Sequence, residues 1–237
     1  MKTVKIYDIT LRESGRGRTA ALSFKERVEI ARTLDRLQVD AVELPAVRDG
    51  KADVLSNKTI ASVVNSARVS AAAGLTEESV ETTWESVKGA RRPALHILLP
   101  ASAVQMEYMC HMKGPAMLEL ARTLVAKARY YTERVEFSAL DATRAEGAFL
   151  RQLLSAAVEA GAGTVTLCDT AGIMTPDECG AFVAETRESV PGLEKVRLGV
   201  ELSDGMKMAA ACAAAAIDAG AEVVKTAITP MDVPTTE

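Results

Sequence analysis

Aromatic side chains are scarce: four Phe, four Tyr and one Trp make up 4% of 237 residues. Sugar-binding and single-strand platforms stack their ligand on aromatic faces, so neither class fits. Cysteine is rare as well. Cys110, Cys168, Cys179 and Cys212 are widely separated, with no CxxC, which excludes a disulfide miniprotein and reads as reduced thiols in a cytoplasmic protein. The opening MKTVKIYDIT is charged and strand-like rather than a secretory leader. Apolar runs are short: Met208 to Ile217 ends at Asp218, well below the roughly 20 residues of a spanning helix, so no membrane partner is expected. Charge of one sign is also lacking, with 28 Lys and Arg against 32 Asp and Glu, a net −4. That balance argues against nucleic acid as the main partner. Histidine occurs twice, His96 within a strand pattern and His111 in a loop, and neither forms a ligand pair by spacing; both read as packing or hydrogen-bonding residues.

What is present is an ordinary globular composition, 48% hydrophobic and 25% charged with a mean hydropathy of +0.08. Short apolar runs alternate with helical patterns along the whole chain. The strands predicted are Val4 to Ile9, Ala41 to Leu44, Arg68 to Ala72, Ala94 to Leu99, Arg134 to Ser138, Thr164 to Leu167, Val196 to Val200 and Glu222 to Ile228. Between them lie amphipathic stretches such as Phe24 to Leu37. Helix starts carry local signals: Ser23 three residues before Glu26, and Thr175-Pro176-Asp177-Glu178. EAGAGTVTLCD and DAGAEVVKTAI are two copies of one helix-end, Gly, strand unit. No composition shift divides the chain, so residues 1–237 read as one domain. Eight strands alternating with helices predict a (β/α)8 TIM barrel rather than an open doubly wound sheet. After the eighth strand only TPMDVPTTE follows, too short and proline-rich for the last covering helix, so the strip beside that strand is a candidate partner surface.

In such a barrel the active site forms where strands end at the C-terminal face. The polar residues there are Asp8, Arg12 and Glu13; Glu43; Ser102; Ser138 and Asp141; Asp169 and Thr170; Glu201, Ser203 and Asp204; and Thr229 and Asp232. Carboxylates dominate this rim, and oxygen donors suit Mg²⁺ or Mn²⁺ more than zinc. Arg12 beside Glu13 is either a functional cation or a surface pair, which would contribute only about 0 to 1 kcal/mol. Glu201 and Asp204 could equally be first-turn acids of the following helix, and Asp204 is read that way. Arg16 and Arg18 either grip an anion or are solvated loop charges. Met106, Met109, Met112 and Met117 form a helical stripe read as core filler, and Cys168 has no paired histidine that would make it a nucleophile.

Four ordered segments, IYDITLRE, HILLPASAVQMEYMCHM, VEFSALDATRAEGAFL and VTLCDTAGIMTPDE, resemble the strand signatures of the barrel family that contains homocitrate synthase, isopropylmalate synthase, citramalate synthase and hydroxymethylglutaryl-CoA lyase. The resemblance runs from about Lys5 to Ala221. It implies an acyltransferase of the homocitrate and isopropylmalate synthase type, joining acetyl-CoA to a 2-keto acid. Carried over by position, Arg12 would stabilise the developing enolate, Glu13 would hold a divalent metal, Thr170 would bind the substrate carboxylate, Ser102 and Ser138 would line the pocket, and Glu43 would lie near the reacting carbons. An arginine aimed at developing negative charge is the electrostatic device that enolate chemistry uses. An aldol-type lyase reaction is the reverse use of the same Arg12.

The chain departs from that family in ways that bear on the metal. Where the family carries His-x-His after strand 7, this sequence reads Glu201-Leu202-Ser203, so Glu201 is the remaining candidate ligand there. Leu140 stands where an acid is usual, Arg16 aligns with a usual Gln, and the Gly- and Asn-containing segment after strand 8 is missing. A third expectation follows from these departures. The chain would be a catalytically incomplete barrel that works by binding a complementing subunit, or a homodimer that exchanges terminal segments.

Overall fold

The computed structural model describes residues 3–14, 22–48 and 50–228. Eight parallel strands close into a barrel in sequence order: β1 (Lys5–Asp8), β2 (Ala41–Leu44), β3 (Arg68–Ala73), β4 (Pro93–Pro100), β5 (Val135–Leu140), β6 (Thr164–Asp169), β7 (Arg197–Leu202) and β8 (Val223–Thr226), with β8 pairing back onto β1. The (β/α)8 expectation is met, and each predicted strand lies within a few residues of its observed position. Seven helices cover the strands: α2 (Phe24–Arg36), α3 (Lys51–Ser62), α4 (Glu77–Val87), α6 (Gly114–Tyr131), α7 (Gly147–Glu159), α8 (Pro176–Ser189) and α9 (Ala209–Asp218). Two short helices sit at strand ends, α1 (Thr10–Glu13) after β1 and α5 (Ala103–Cys110) after β4. The two start signals read from sequence are capping boxes in the structure. Ser23 accepts from the Glu26 N–H and Thr175 from the Glu178 N–H, with the glutamates returning the bond.

The apolar core lies outside the barrel, between strands and helices. Val42, Leu44, Ile97, Leu99, Phe137, Val165, Leu167, Leu198 and Val200 alternate along their strands and bury outward against Leu34, Ile60, Leu124, Leu153 and Val183 of the covering helices. Strand alternation therefore sends the other set inward, and that set is polar: Glu43, Ser70, His96, Glu136, Ser138, Thr166 and Lys225, all buried. Towards the bottom of the lumen Tyr7, Ala41 and Val223 form their own apolar cluster. Met106 and Met117 are buried core residues, as expected of core filler, whereas Met109 is exposed.

Among the described residues no helix follows β8. A cavity of about 370 Å³ lies on the flank, lined by Leu202, Ala209, Ala213, Val224 and Thr226 among others. Thr229 and Asp232, together with Arg16 and Arg18, lie outside the described residues.

At the mouth, the loops after β6 and β7 interlock. Gly172 has φ +63°, and a Cβ placed there would come within 2.5 Å of the Gly205 nitrogen and 2.6 Å of the Ser203 carbonyl oxygen. Ser203 N–H donates to Asp169 and Met206 N–H to Gly172 across the same seam. Gly172→Ala is therefore expected to destabilise the fold by about 2 kcal/mol or more, since left-handed backbone strain and backbone overlap add. Calorimetry should show a melting temperature lower by at least ~4 °C in a chain of this size.

Candidate active site

Arg12 is the centre of the C-terminal mouth. Its position follows from β1 running directly into the single turn of α1, which lifts the side chain over the lumen; it is 7% exposed. Nε donates to Glu13 Oε1 at 2.6 Å, Nη1 to Glu43 Oε1 at 3.3 Å and to Glu201 Oε2 at 3.1 Å, and Nη2 to Glu201 Oε1. Glu201 thus faces the guanidinium in a two-pronged fork, the geometry that distinguishes Arg from Lys. One layer deeper, Lys225 on β8 donates to Glu43 Oε2 and to Glu136 Oε1, each at 2.9 Å. His96 on β4 joins the two halves: Nδ1 lies 2.7 Å from Glu43 Oε1 and Nε2 lies 2.6 Å from Ser138 Oγ. Thr166 donates to Glu136 Oε1 at 2.7 Å.

The charges hold one another. Burial alone would push the Glu43 carboxyl up, but Arg12, His96 and Lys225 together pull it well below the usual carboxylate range. Glu136 is likewise lowered, with Lys225 and His96 outweighing its burial and the neighbouring Glu43. Burial disfavours the charged forms of Arg12 and Lys225 too, yet both are raised, Arg12 chiefly by Glu201 and Glu43, and Lys225 by Glu136 and Glu43. Lys225 is therefore an ammonium ion and not a free amine nucleophile. Cys168 stands level with Glu201 in the β6–β7 register, and burial followed by the Glu201 charge raises its thiol well above the ordinary value, so it stays protonated.

The structure brings Arg12, Glu13, Glu43, Ser138 and Glu201 into one contiguous network and leaves two of the expected residues at its edge. Glu43, expected near the reacting carbons, spends both oxygens on Arg12, His96 and Lys225 and acts by holding them. Ser138 is fully buried and positions His96. Ser102 caps α5, accepting from the Gln105 N–H, and Thr170 Oγ1 accepts from the Asp141 N–H at 2.8 Å. Asp204 was read as a first-turn acid of this helix, but it lies before α9, whose first turn holds no acid, and it accepts from the Ala209 N–H. His111 ends α5 in a left-handed conformation and takes no part in the network described. Glu136 and Lys225 were not among the sequence candidates, and His96 was read as a packing or hydrogen-bonding residue. Each interrupts an apolar run, in V-E-F, V-K-T and L-H-I, and a charged residue at an inward position of a barrel strand is the signal that would have found them.

Glu13 and Glu201, the expected metal ligands, both pair with the guanidinium. Among the described residues no group of three or more His, Cys, Asp or Glu side chains could hold a metal ion. Among the described residues, the donor set that the rim carboxylates and the family resemblance imply for a divalent ion is therefore not assembled.

Two outcomes follow from this network. Lys225→Met leaves Glu43 and Glu136 short of a buried cation and is expected to cost about 3 to 5 kcal/mol, a melting-temperature drop of roughly 6 to 20 °C by calorimetry. The pH dependence has a definite sign. Glu43 and Glu136, lowered in the folded chain, contribute stability that is complete above the unfolded carboxyl range near about 4.5 and is lost as pH falls through their lower folded values. Lys225, raised, contributes stability that is complete below about 10.4 and is lost only as pH rises through its folded value. Asp8, raised by burial, opposes the acid limb weakly. Thermal melts across pH should show a plateau between these limits with a steep acid edge; a melting temperature that rises on acidification would contradict the assignment.

Comparison with known proteins places this geometry. Residues 3–231 match the HMGL-like family model. The chain is 34% identical over 227 residues to a 2-isopropylmalate synthase of Clostridium kluyveri and 36% identical over 225 residues to one of Pelotomaculum thermopropionicum. These alignments cover 96% and 95% of the chain but only 44% and 45% of the relatives, so the chain spans less than half their length. Among solved structures, hydroxymethylglutaryl-CoA lyase from Pseudomonas aeruginosa superposes with a TM-score of 0.81 at 16% identity, covering 96% of this chain and 77% of that one, a likeness of fold. A match over nearly the whole chain, on a barrel whose mouth carries the expected arginine, makes this protein a member of the HMGL-like family.

Proposed function

We propose that this barrel is an acyltransferase of the isopropylmalate and homocitrate synthase type, joining acetyl-CoA to a 2-keto acid in the cytoplasm. The observation that carries the reading is the buried Arg12 guanidinium at the mouth, in a chain about one-third identical to curated 2-isopropylmalate synthases. In the reaction a proton leaves the acetyl methyl group, and its carbon bonds to the keto carbon of the acid. The keto oxygen takes a proton and becomes a hydroxyl, and water then cleaves the thioester and releases CoA. Arg12 faces the oxygen on which negative charge gathers, a role that requires Glu201 to yield one prong of its fork to the substrate. Glu43 and Lys225 keep the guanidinium fixed while this happens, so it need not reorganise as charge develops. Ser102 and Thr170, just past the ends of β4 and β6, would bind the carboxylate of the acid. No step here runs through a divalent ion.

A second reading, that the barrel is completed by another chain, is favoured by one feature: the 370 Å³ cavity lined by α9 and β8 residues, where a further covering helix would pack. A complementing subunit, or a second copy exchanging its terminal segment, would cover that flank. Light scattering separates the readings, since a well-behaved monomer that turns over substrate counts against it.

The test of the first reading is thiol release from acetyl-CoA across a panel of 2-keto acids. At least one acid should stimulate release, and Arg12→Lys, which keeps the charge but loses the fork, should lower kcat by about 10²-fold to 10³-fold. Release that no keto acid stimulates would end the proposal.

A further inference from the structure

At the mouth, Arg12 lies among carboxylates that pair with it. The opposite, N-terminal end of the barrel is built the other way. Arg68 opens β3, Arg134 immediately precedes β5 and Arg197 opens β7. Their neighbours Val69, Val135 and Leu198 belong to the outward apolar shell, so strand alternation turns all three arginines to the inner side, one layer below Ser70, Glu136 and Gly199. They line one cavity of about 200 Å³, together with Gly163, Thr164 and Glu133. The carboxylates around that end are taken by other groups. Asp40 accepts from Lys5 at 2.7 Å and from the Ile6 N–H at 3.0 Å, Glu136 is held by Lys225 and Thr166, and the exposed Glu133 faces Arg129 at 3.7 Å. Among the described residues Arg68, Arg134 and Arg197 therefore form no ion pair within 4.0 Å.

A concave surface lined by one sign of charge repels itself and concentrates counter-ions. Arg68 is fixed there from within the lumen, since its Nη1 donates to Tyr7 Oη at 3.0 Å, and its buried Nε has no partner. We propose that the N-terminal end of this barrel is a binding site for a phosphate group, held by Arg68, Arg134 and Arg197 at the far end of the lumen from Arg12. The choice of ion follows from number and direction. One guanidinium fork satisfies a planar, singly charged carboxylate, whereas three forks arriving from β3, β5 and β7 match a tetrahedral ion that carries oxygens on several sides. A phosphate group also brings about −1.5 to −2 charge at neutral pH against the three cations. Arg68 and Arg197 are half-buried and Arg134 is exposed, so the cavity opens to solvent on the Arg134 side. The phosphate is thus either a free ion or the end of a phosphomonoester whose organic part stays outside. The inference is independent of the reaction at the mouth, because it uses none of the residues there.

The experiment is calorimetric titration of the native chain with inorganic phosphate, and thermal melts in the same solutions, with ionic strength held constant by chloride and no substrate present. One ion should bind per chain with a dissociation constant of about 1 mM or below. Phosphate at roughly ten times that constant should raise the melting temperature by about 2 to 6 °C, and acetate at the same concentration should not displace it. Arg134→Gln and Arg197→Gln, whose side chains have no partner to lose among the described residues, should each weaken binding about tenfold, the loss of one charge-assisted contact. Arg122→Gln on α6, a surface arginine paired with Glu119, should leave binding unchanged. Methyl phosphate identifies the source: tighter binding than inorganic phosphate marks the end of a phosphomonoester, equal or weaker binding marks the free ion, and either supports the site. A native chain that neither takes up phosphate nor melts higher in it would overturn the proposal, whatever the variants do. So would binding that is undiminished when Arg134→Gln and Arg197→Gln are combined, since the phosphate would then be held elsewhere.

Discussion

Glu43 lies between two buried cations, and the arrangement of the lumen depends on that position. Its carboxylate takes Arg12 from above, Lys225 from below and His96 from the side. Taking even one of these charges out of water costs several kcal/mol, and the cost is offset only where each has partners of opposite sign at hydrogen-bond distance. Arg12 is therefore fixed at the mouth by groups that lie beneath it. A site whose cation is immobilised in this way presents a preset electrostatic field to whatever binds there.

The polar lumen also divides the work of the fold. Stability comes from the shell between strands and helices, where Phe137, Leu99 and Leu153 are fully buried. The inward faces of the strands are thereby free to carry Glu, His, Lys, Ser and Thr. Outward-facing residues must match helices, whereas inward-facing ones must match only one another. That separation is what lets a barrel keep its architecture while its chemistry changes.

The architecture was legible in the sequence because it rests on local signals. Short apolar runs alternating with helical patterns marked the strands, and Ser23 with Glu26 and Thr175 with Glu178 marked helix starts that are capping boxes in the structure. Arg12, Glu13 and Glu201 were legible as rim residues because the end of a barrel strand is a position that sequence order alone identifies. Their joint use of one guanidinium was not, since it depends on side chains from α1, β2 and β7 meeting across the lumen, and no sequence spacing encodes that. Lys225 and Glu136 were hidden for a related reason. A charged residue inside an apolar run is compatible with either face of the strand until the barrel closes and the register fixes which way it points.

The mutual pairing inside the lumen has a consequence for how such a barrel can diverge. Replacing Lys225 alone leaves Glu136 without its close cation, and replacing Glu43 alone leaves Arg12 and Lys225 each one carboxylate short, so single steps in this layer pass through a chain with its interior charge out of balance. Drift in these positions is then expected to proceed by correlated exchange, with residues of the α1 turn and of β2, β5, β7 and β8 changing as a set, while the outward faces vary position by position. The lumen behaves as a single inherited character spread over four strands and the α1 turn.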